Sequence, residues 1–275
     1  MSRGYVIAGT DTDAGKTVFA AALCGALGAR YWKPIQCGLE GGGDVEVVRK
    51  LGGLSGDHIV PEIYRLKMPA SPHRAAEIDG VEIDVDRLAT AVATLSRTHP
   101  TSSPSWRSHA AHGRRGPVQA GGLAVPTGDE QRHGQTPAFV GVTEQGEWSS
   151  LRDTRDPERT DTTLIIEGAG GLMVPLTRNV LQIDLFARWG LPVVLCARTA
   201  LGTINHSLLS FEALNNRNIP IHGIAFIGDA NADSERTICD MGGVRRLGRL
   251  PLLDPLDKGT LAAAFAAGFR REDFA

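Results

Sequence analysis

Gly9-Thr10-Asp11-Thr12-Asp13-Ala14-Gly15-Lys16-Thr17 follows the apolar run Tyr5-Val6-Ile7-Ala8 and precedes an apolar-periodic segment, Val18 to Leu27. The order reads strand, phosphate loop, helix, and the spacing of glycine, four residues, then Gly-Lys-Thr is that of a Walker A loop. Each part has a physical task. Glycines let the backbone turn tightly, and successive N–H groups from Asp13 through Ala14, Gly15, Lys16 and Thr17 to Val18 face the phosphates at the start of the new helix. Lys16 supplies a point charge, and the Thr17 hydroxyl can ligate Mg²⁺. The alternative, an ordinary glycine-rich βα turn, requires neither the lysine nor the hydroxyl. The stretch predicts a nucleotide-handling chain.

Length and composition set bounds on the rest. The chain has 275 residues, enough for one large α/β domain or two small ones with a substantial core. A formal net charge of −2 gives no basic footprint, so nucleic acid is not an expected partner. Cys24, Cys37, Cys196 and Cys239 are scattered without ligand spacing and read as reduced thiols of a cytoplasmic protein. Met1-Ser2-Arg3-Gly4 runs straight into the first strand, which predicts no signal peptide, and no apolar run reaches the ~18 residues of a membrane span.

Along the chain, Arg30 to Pro34 is a short strand candidate stopped by its proline, and Asp44 to Leu51 has apolar residues at helical spacing. Asp84 to Leu95 is a helix with Asp84 as its cap. The second half alternates: strand Leu164 to Glu167, helix Gln182 to Arg188, strand Pro192 to Ala197, helix Thr203 to Asn216. It continues with strand His222 to Ile227, helix Ser234 to Met241, strand Arg246 to Leu250 and helix Gly259 to Phe269. Continuous apolar strands alternating with helices imply a mostly parallel sheet covered by helices on both faces, an α/β, P-loop NTPase-like fold. Residues 97–163 break the pattern. They are rich in Pro, His, Arg, Ser and Gly and poor in periodic apolar residues, so they are expected to be a polar, disordered insertion within one domain spanning 1–275. His109, His112 and His133 fall in it without the Cys or carboxylate partners a metal site needs.

Three residues outside the loop carry candidate chemistry. Glu167 ends an apolar strand and opens Glu167-Gly168-Ala169-Gly170-Gly171, at the carboxyl edge where parallel sheets bind ligands. Its alternative reading is a solvated strand-end acid. Asp44, behind Gly41-Gly42-Gly43, is either an Mg²⁺ ligand with Thr17 and Glu167 or a helix N-cap. Lys33 ends the second strand at the same edge and is either catalytic or a surface lysine.

Five ordered motifs carry a family resemblance: GTDTDAGKT, then Tyr31-Trp32-Lys33-Pro34-Ile35-Gln36-Cys37-Gly38, Ser71-Pro72-His73-Arg74-Ala75-Ala76, EGAGGLMVPL from Glu167 to Leu176, and Gly202-Thr203-Ile204-Asn205-His206. Together they resemble the dethiobiotin synthetase family over nearly the whole chain except the insertion. The resemblance implies ATP- and Mg²⁺-dependent formation of dethiobiotin from 7,8-diaminopelargonate and CO₂, by a homodimer that binds neither nucleic acid nor membrane. It implies that Lys16 and Lys33 neutralise the carbamate and the transferring phosphoryl oxygens, and that Thr17, Asp44 and Glu167 hold Mg²⁺. Gly168, Ala169 and Gly170 are implied beside the nucleotide, with Gly228, Asp229, Pro251, Leu252 and Leu253 flanking its base. Thr12, Cys37, Ser71, Pro72, His73 and Asn205 are implied to contact substrate.

There are departures. Cys37 stands where the family commonly has a serine, and a thiol is the weaker donor. Gly228-Asp229 stands where an Asn-Asp pair can face the base. Two other classes share a similar loop. One is the amide-forming synthetase related to the cobyrinate diamide type, from which the Tyr-Trp-Lys-Pro and Ser-Pro-His segments distinguish this chain. The other is the ParA/MinD-like ATPase switch. Such switches carry a second lysine early in the loop and often end in a basic amphipathic helix, whereas this chain has a Gly-Thr-Asp run there and ends in mixed charges, Arg270 to Asp273.

Overall fold

The computed structural model describes residues 4–39, 42–96 and 162–274. The chain divides into two units, residues 1–99 with 159–275 and residues 100–158, and every described residue lies in the first. The expected insertion, 97–163, and its histidines fall outside the described residues apart from Thr162 and Thr163.

The described elements, in chain order, begin with β1 (Gly4–Gly9), α1 (Lys16–Leu27), β2 (Arg30–Trp32), β3 (Ile35–Cys37) and α2 (Asp44–Gly52). Next come β4 (Ile59–Val60), β5 (Tyr64–Leu66), α3 (Pro72–Asp79), α4 (Val85–Ser96) and β6 (Leu164–Gly171). The last are α5 (Gln182–Trp189), β7 (Val193–Arg198), α6 (Thr203–Asn215), β8 (Ile221–Ile227), α7 (Ala232–Gly242), β9 (Arg246–Leu250) and α8 (Lys258–Gly268). Seven strands form one sheet in the order β4-β2-β6-β1-β7-β8-β9, and every pairing is parallel. The expected fold class is therefore observed.

Alternation along the strands explains the two layers. Val6 and Ala8 of β1, Leu164 and Ile166 of β6, and Val193 and Leu195 of β7 enter one core, with residues of α3, α4, α5, α6 and α7. Tyr5, Ile7, Ile165, Val194 and Cys196 enter the other, with α1, α2 and α8. A side chain's parity thus decides which helices it meets. In the first core Phe186 stacks on Trp189 at 5.5 Å between ring centroids, and the Trp189 indole donates to the Leu88 carbonyl at 3.1 Å. Burying such a ring stabilises by about 2–3 kcal/mol, and its one polar group has a partner.

β1 lies between β6 and β7, with the chain winding first to one side of it and then to the other. The carboxyl ends at such a reversal leave a crevice where ligands bind. The phosphate loop begins there because it follows β1.

A second, two-stranded parallel sheet pairs β3 with β5. The motif reading did not predict β3, β4, β5 or α3. Strands of two or three residues have too few positions to show a period. For α3 a signal existed: Ser71 precedes a proline in the first turn, where its missing N–H costs nothing.

Candidate functional site

The phosphate loop closes on glycine conformations. Gly15 has φ 81°, and a Cβ built on it would lie 2.8 Å from Ile227 Cγ2, so both the turn and its packing on β8 require glycine. Asp13 adopts φ 58°. Gly15 precedes the first helical residue, Lys16, and offers no side chain to the helix N-terminus. The N–H groups of Lys16, Thr17 and Val18 therefore have no partner within the helix and remain for an anion. Lys16 is 6% exposed, with Nζ donating to the Asp11 carbonyl at 3.1 Å. Burial lowers its pKa, as does the nearby charge of Lys33, while Glu167 opposes them. An arriving phosphate would favour the charged form that burial disfavours.

Register sets the rest of the site. Ile166 of β6 pairs with Trp32 of β2, and Glu167 pairs with Ile7 of β1. One step beyond Trp32, Lys33 returns to the face that Tyr31, Ile7 and Glu167 share, the face covered by α1. Glu167 is 1% exposed and Lys33 5%. Both alternative readings therefore fail: Glu167 is not a solvated acid, and Lys33 is not a surface lysine. The Lys33 ammonium donates to Glu167 Oε1 at 3.1 Å and to Asp44 Oδ2. Glu167 Oε1 also accepts from Thr17 Oγ1 at 2.8 Å, and Oε2 accepts from the Tyr31 hydroxyl at 2.8 Å. For Lys33, burial pulls the pKa down, but Glu167 and Asp44 together more than offset it, and the net shift is upward. Tyr31 is pushed far up by burial and by Glu167, so it stays a donor.

Asp44 is not the N-cap of α2. That position belongs to Gly43, whose N–H is taken by Glu46 Oε2 at 2.8 Å. Asp44 is the first helical residue, and this frees its side chain for Lys33. It is 31% exposed, the open side of an otherwise closed cluster. Gln36 anchors it: Oε1 accepts from Asp44 N at 3.1 Å, while Nε2 donates to the carbonyls of Cys37 and Gly38, each at 3.2 Å.

This cluster suits a small, hard cation. Thr17 Oγ1 and Glu167 Oε1 sit 2.8 Å apart, close to the roughly 3 Å between neighbouring ligands of octahedral Mg²⁺ at about 2.1 Å each. A hydroxyl and two carboxylates are all oxygen donors. Among the described residues no group of three or more His, Cys, Asp or Glu is placed to hold a metal ion.

The glycine segment after Glu167 lies against the phosphate loop. A Cβ at Gly171 would come 3.6 Å from Asp11 Cα, and one at Gly170, whose φ is 68°, would come 3.5 Å from Thr12 Oγ1. Behind Gly168 lie Phe186 and Gln182. The Ala169 N–H donates to Gln182 Oε1 at 2.6 Å, so it is not available to a nucleotide.

Other sequence-predicted residues form two further groups. Ser71 Oγ bonds His73 Nδ1 at 3.0 Å, and His73 N donates to the Pro175 carbonyl at 3.3 Å, joining α3 to the segment after β6. Arg178 reinforces that junction by gripping Glu77 with two bonds of 2.5 and 2.7 Å. Pro72 is buried at the start of α3. Cys37 is half-buried, and burial pushes its thiol up to about 11, so it is neutral. In the second group, Gly228 donates to Leu250 O and accepts from Arg249, each at 2.9 Å, which brings the end of β8 to Pro251. Asp229, Pro251 and Leu252 are exposed there, and Leu253 is half-buried. Asn205 lies on the exposed face of α6, and no described hydrogen bond ties it to the other predicted residues.

Three residues of the site were missed: Tyr31, Gln36 and Gln182. Tyr31 was readable by parity, two residues before Lys33. Gln182 was readable as a polar residue on the stripe 182, 185, 186 and 189, which is otherwise apolar. Gln36 lies in a strand too short to give a signal.

A family described as "AAA domain" matches residues 3–101 and 141–260. A protein named "ATP-dependent dethiobiotin synthetase BioD" from Novosphingobium aromaticivorans is 47% identical over 271 residues, 98% of each chain. Proteins of the same name from Rhodopseudomonas palustris (strain BisB18) and Rhizorhabdus wittichii are each 48% identical. They align over 274 and 275 residues, all of this chain and 99% and 100% of theirs.

Proposed function

The chain belongs to the ATP-dependent dethiobiotin synthetase family, and on that premise we propose how its residues divide the work. It is a ligase of biotin biosynthesis. It joins CO₂ to one amine of 7,8-diaminopelargonate as a carbamate, transfers the γ-phosphoryl group of ATP to the carbamate oxygen, and lets the second amine displace phosphate to close the ureido ring.

The observation that carries this reading is the Lys33 ammonium held between Glu167 and Asp44, beside the first turn of α1, whose N–H groups have no partner within the helix. The reaction must bring two anions together, and that requires fixed positive charge and N–H donors rather than a covalent nucleophile. In our reading the first turn of α1 and Lys16 take the phosphates, and Lys33 faces the carbamate and the phosphoryl oxygens. Thr17, Asp44 and Glu167 hold Mg²⁺, which offsets phosphate charge. The Tyr31 hydroxyl fixes the Glu167 carboxylate and Gln36 fixes the backbone of Asp44, so that neither acid collapses onto the substrate. Cys37, Ser71, Pro72, His73 and Thr12 border the diamine. The segments at Gly228–Asp229 and Pro251–Leu253 border the base, and Asn205 reaches substrate across a homodimer. We place its work in the cytoplasm; among the described residues no helix is long and apolar enough to cross a membrane.

The test is direct. The full chain, given 7,8-diaminopelargonate, bicarbonate and MgATP, should yield dethiobiotin and ADP in equal amounts. ADP release indifferent to the diamine, or stimulated by DNA or lipid vesicles, would overturn the reading in favour of an ATPase switch.

A further inference from the structure

We propose that Gln182 is a positioning residue for the reaction, clamping both sides of the glycine bulge after Glu167 and so fixing where that bulge meets the phosphate loop. The inference rests on the function proposed above.

The bulge is visible in the register. Between the pairs Ile7↔Glu167 and Gly9↔Gly171, β1 advances two residues while β6 advances four. The two extra residues have no place in the ladder, and a bulged segment needs another source of order. Gln182 supplies it. The side chain is 3% exposed, and its amide uses both ends: Oε1 accepts from Ala169 N at 2.6 Å, and Nε2 donates to Gly171 O at 3.0 Å. Its own backbone N–H donates to Val174 O at 2.8 Å, closing the segment that returns to α5. A buried amide on an otherwise apolar stripe carries a desolvation cost, which these bonds offset.

The clamped layer is thin. On one side Gly168 lies so close to α5 that an added Cβ would fall 2.7 Å from Phe186 Cζ. On the other, Gly170 and Gly171 lie against Asp11 and Thr12. A shift of the bulge therefore moves the arm of the phosphate loop that precedes Asp13. The amides at the start of α1 are set by the helix itself, and no described hydrogen bond joins them to Gln182. Gln182 should thus govern the alignment of the reacting groups and leave the grip on the nucleotide's first two phosphates unchanged.

Gln182→Met keeps the shape and removes both bonds. We expect kcat to fall about 10- to 100-fold, the scale of an ångström-sized misplacement, with the Kd for MgADP changed less than about threefold. An unchanged kcat, or a loss of kcat matched by an equal loss of MgADP affinity, would overturn the proposal. Should that variant not fold, Gln182→Glu decides. Its carboxylate still accepts from Ala169 N but donates to Gly171 O only when protonated. Its kcat relative to wild type should therefore recover as the pH is lowered from about 9 to about 6. A ratio independent of pH would count against the clamp. Hydrogen exchange at residues 168–171, slow in wild type and fast in Gln182→Met, reads the clamp without turnover. A wild-type chain that makes no dethiobiotin would strike the proposed function, while unchanged exchange would strike this inference alone.

Discussion

Replacing Lys33 by Met should damage both the fold and the reaction, by amounts that follow from burial. The Lys33 side chain is 6% exposed and that of Glu167 is fully buried, so the variant leaves a carboxylate in the interior without its contacting ammonium. Breaking a buried pair by removing one partner costs about 3–5 kcal/mol. Two features place this case at the lower end. Glu167 keeps its hydrogen bonds from Thr17 and Tyr31, and Asp44, at 31% exposed, can turn to water. A loss of about 3 kcal/mol, at about 2–4 °C per kcal/mol for a domain this size, lowers Tm by about 6–12 °C. For turnover, removing one preorganised charge from the transferring group costs about 10²–10³ in kcat. Calorimetry with and without MgADP, beside the dethiobiotin assay, measures both. MgADP should raise the variant's Tm more than that of wild type, because the ion takes over the neutralisation of Glu167. A variant with wild-type Tm and kcat within about threefold would refute the role given to Lys33.

Further expectations concern single contacts. Thr17→Val should raise the Mg²⁺ concentration required for half-maximal activity by about tenfold, read from a metal titration at fixed ATP, since the hydroxyl is one of three proposed ligands. Cys37→Ser replaces a weak donor by a strong one and should lower the KM for the diamine about two- to tenfold, the worth of one neutral hydrogen bond; an unchanged KM would place Cys37 away from the substrate. Phe186→Ala should cost about 3–5 kcal/mol in denaturant unfolding, because it empties the stack with Trp189. His222 packs on Tyr5 and Phe274 and bonds the Asp273 carbonyl at 2.8 Å. Burial, then the nearby Arg245, lower its pKa beneath 6.5, against the bond to Asp273 and its charge. The folded state thus prefers the neutral ring, and stability is lost as pH falls from 6.5 through the folded pKa. His222→Gln should flatten that part of the Tm–pH curve, and an unchanged slope would remove His222 as its cause.

The sequence revealed most where one element shows its own period. β1, β7 and the Ile224–Phe226 part of β8 read as continuous apolar runs because both faces of each are covered, and the Walker A loop named its own turn. β6 was read short: it continues through Gly168 to Gly171, a glycine-rich stretch of low β-propensity of which only Gly171 returns to the ladder, opposite Gly9. The small sheet of β3 and β5 depends on pairing between segments 29 residues apart, Ile35 with Tyr64, which local pattern does not encode. At the site, Glu167 and Lys33 stood out as charged residues at strand ends. Their burial and mutual contact came from register, a property of two strands together. Gln36 and Gln182 act on backbone groups brought close by the fold, so their task had no local signature. The Asp44 cap failed because Gly43 can occupy that position and leave the acid to Lys33.

If one cation site at the edge of the sheet gathers ATP and carbamate beside Lys33, anomalous diffraction from crystals grown with Mn²⁺ and ADP should show a manganese peak within about 2.2 Å of Thr17 Oγ1 and of oxygens from Glu167 and Asp44. Nucleotide bound in the phosphate loop with the manganese peak elsewhere, and the Lys33 ammonium still on both carboxylates, would contradict it.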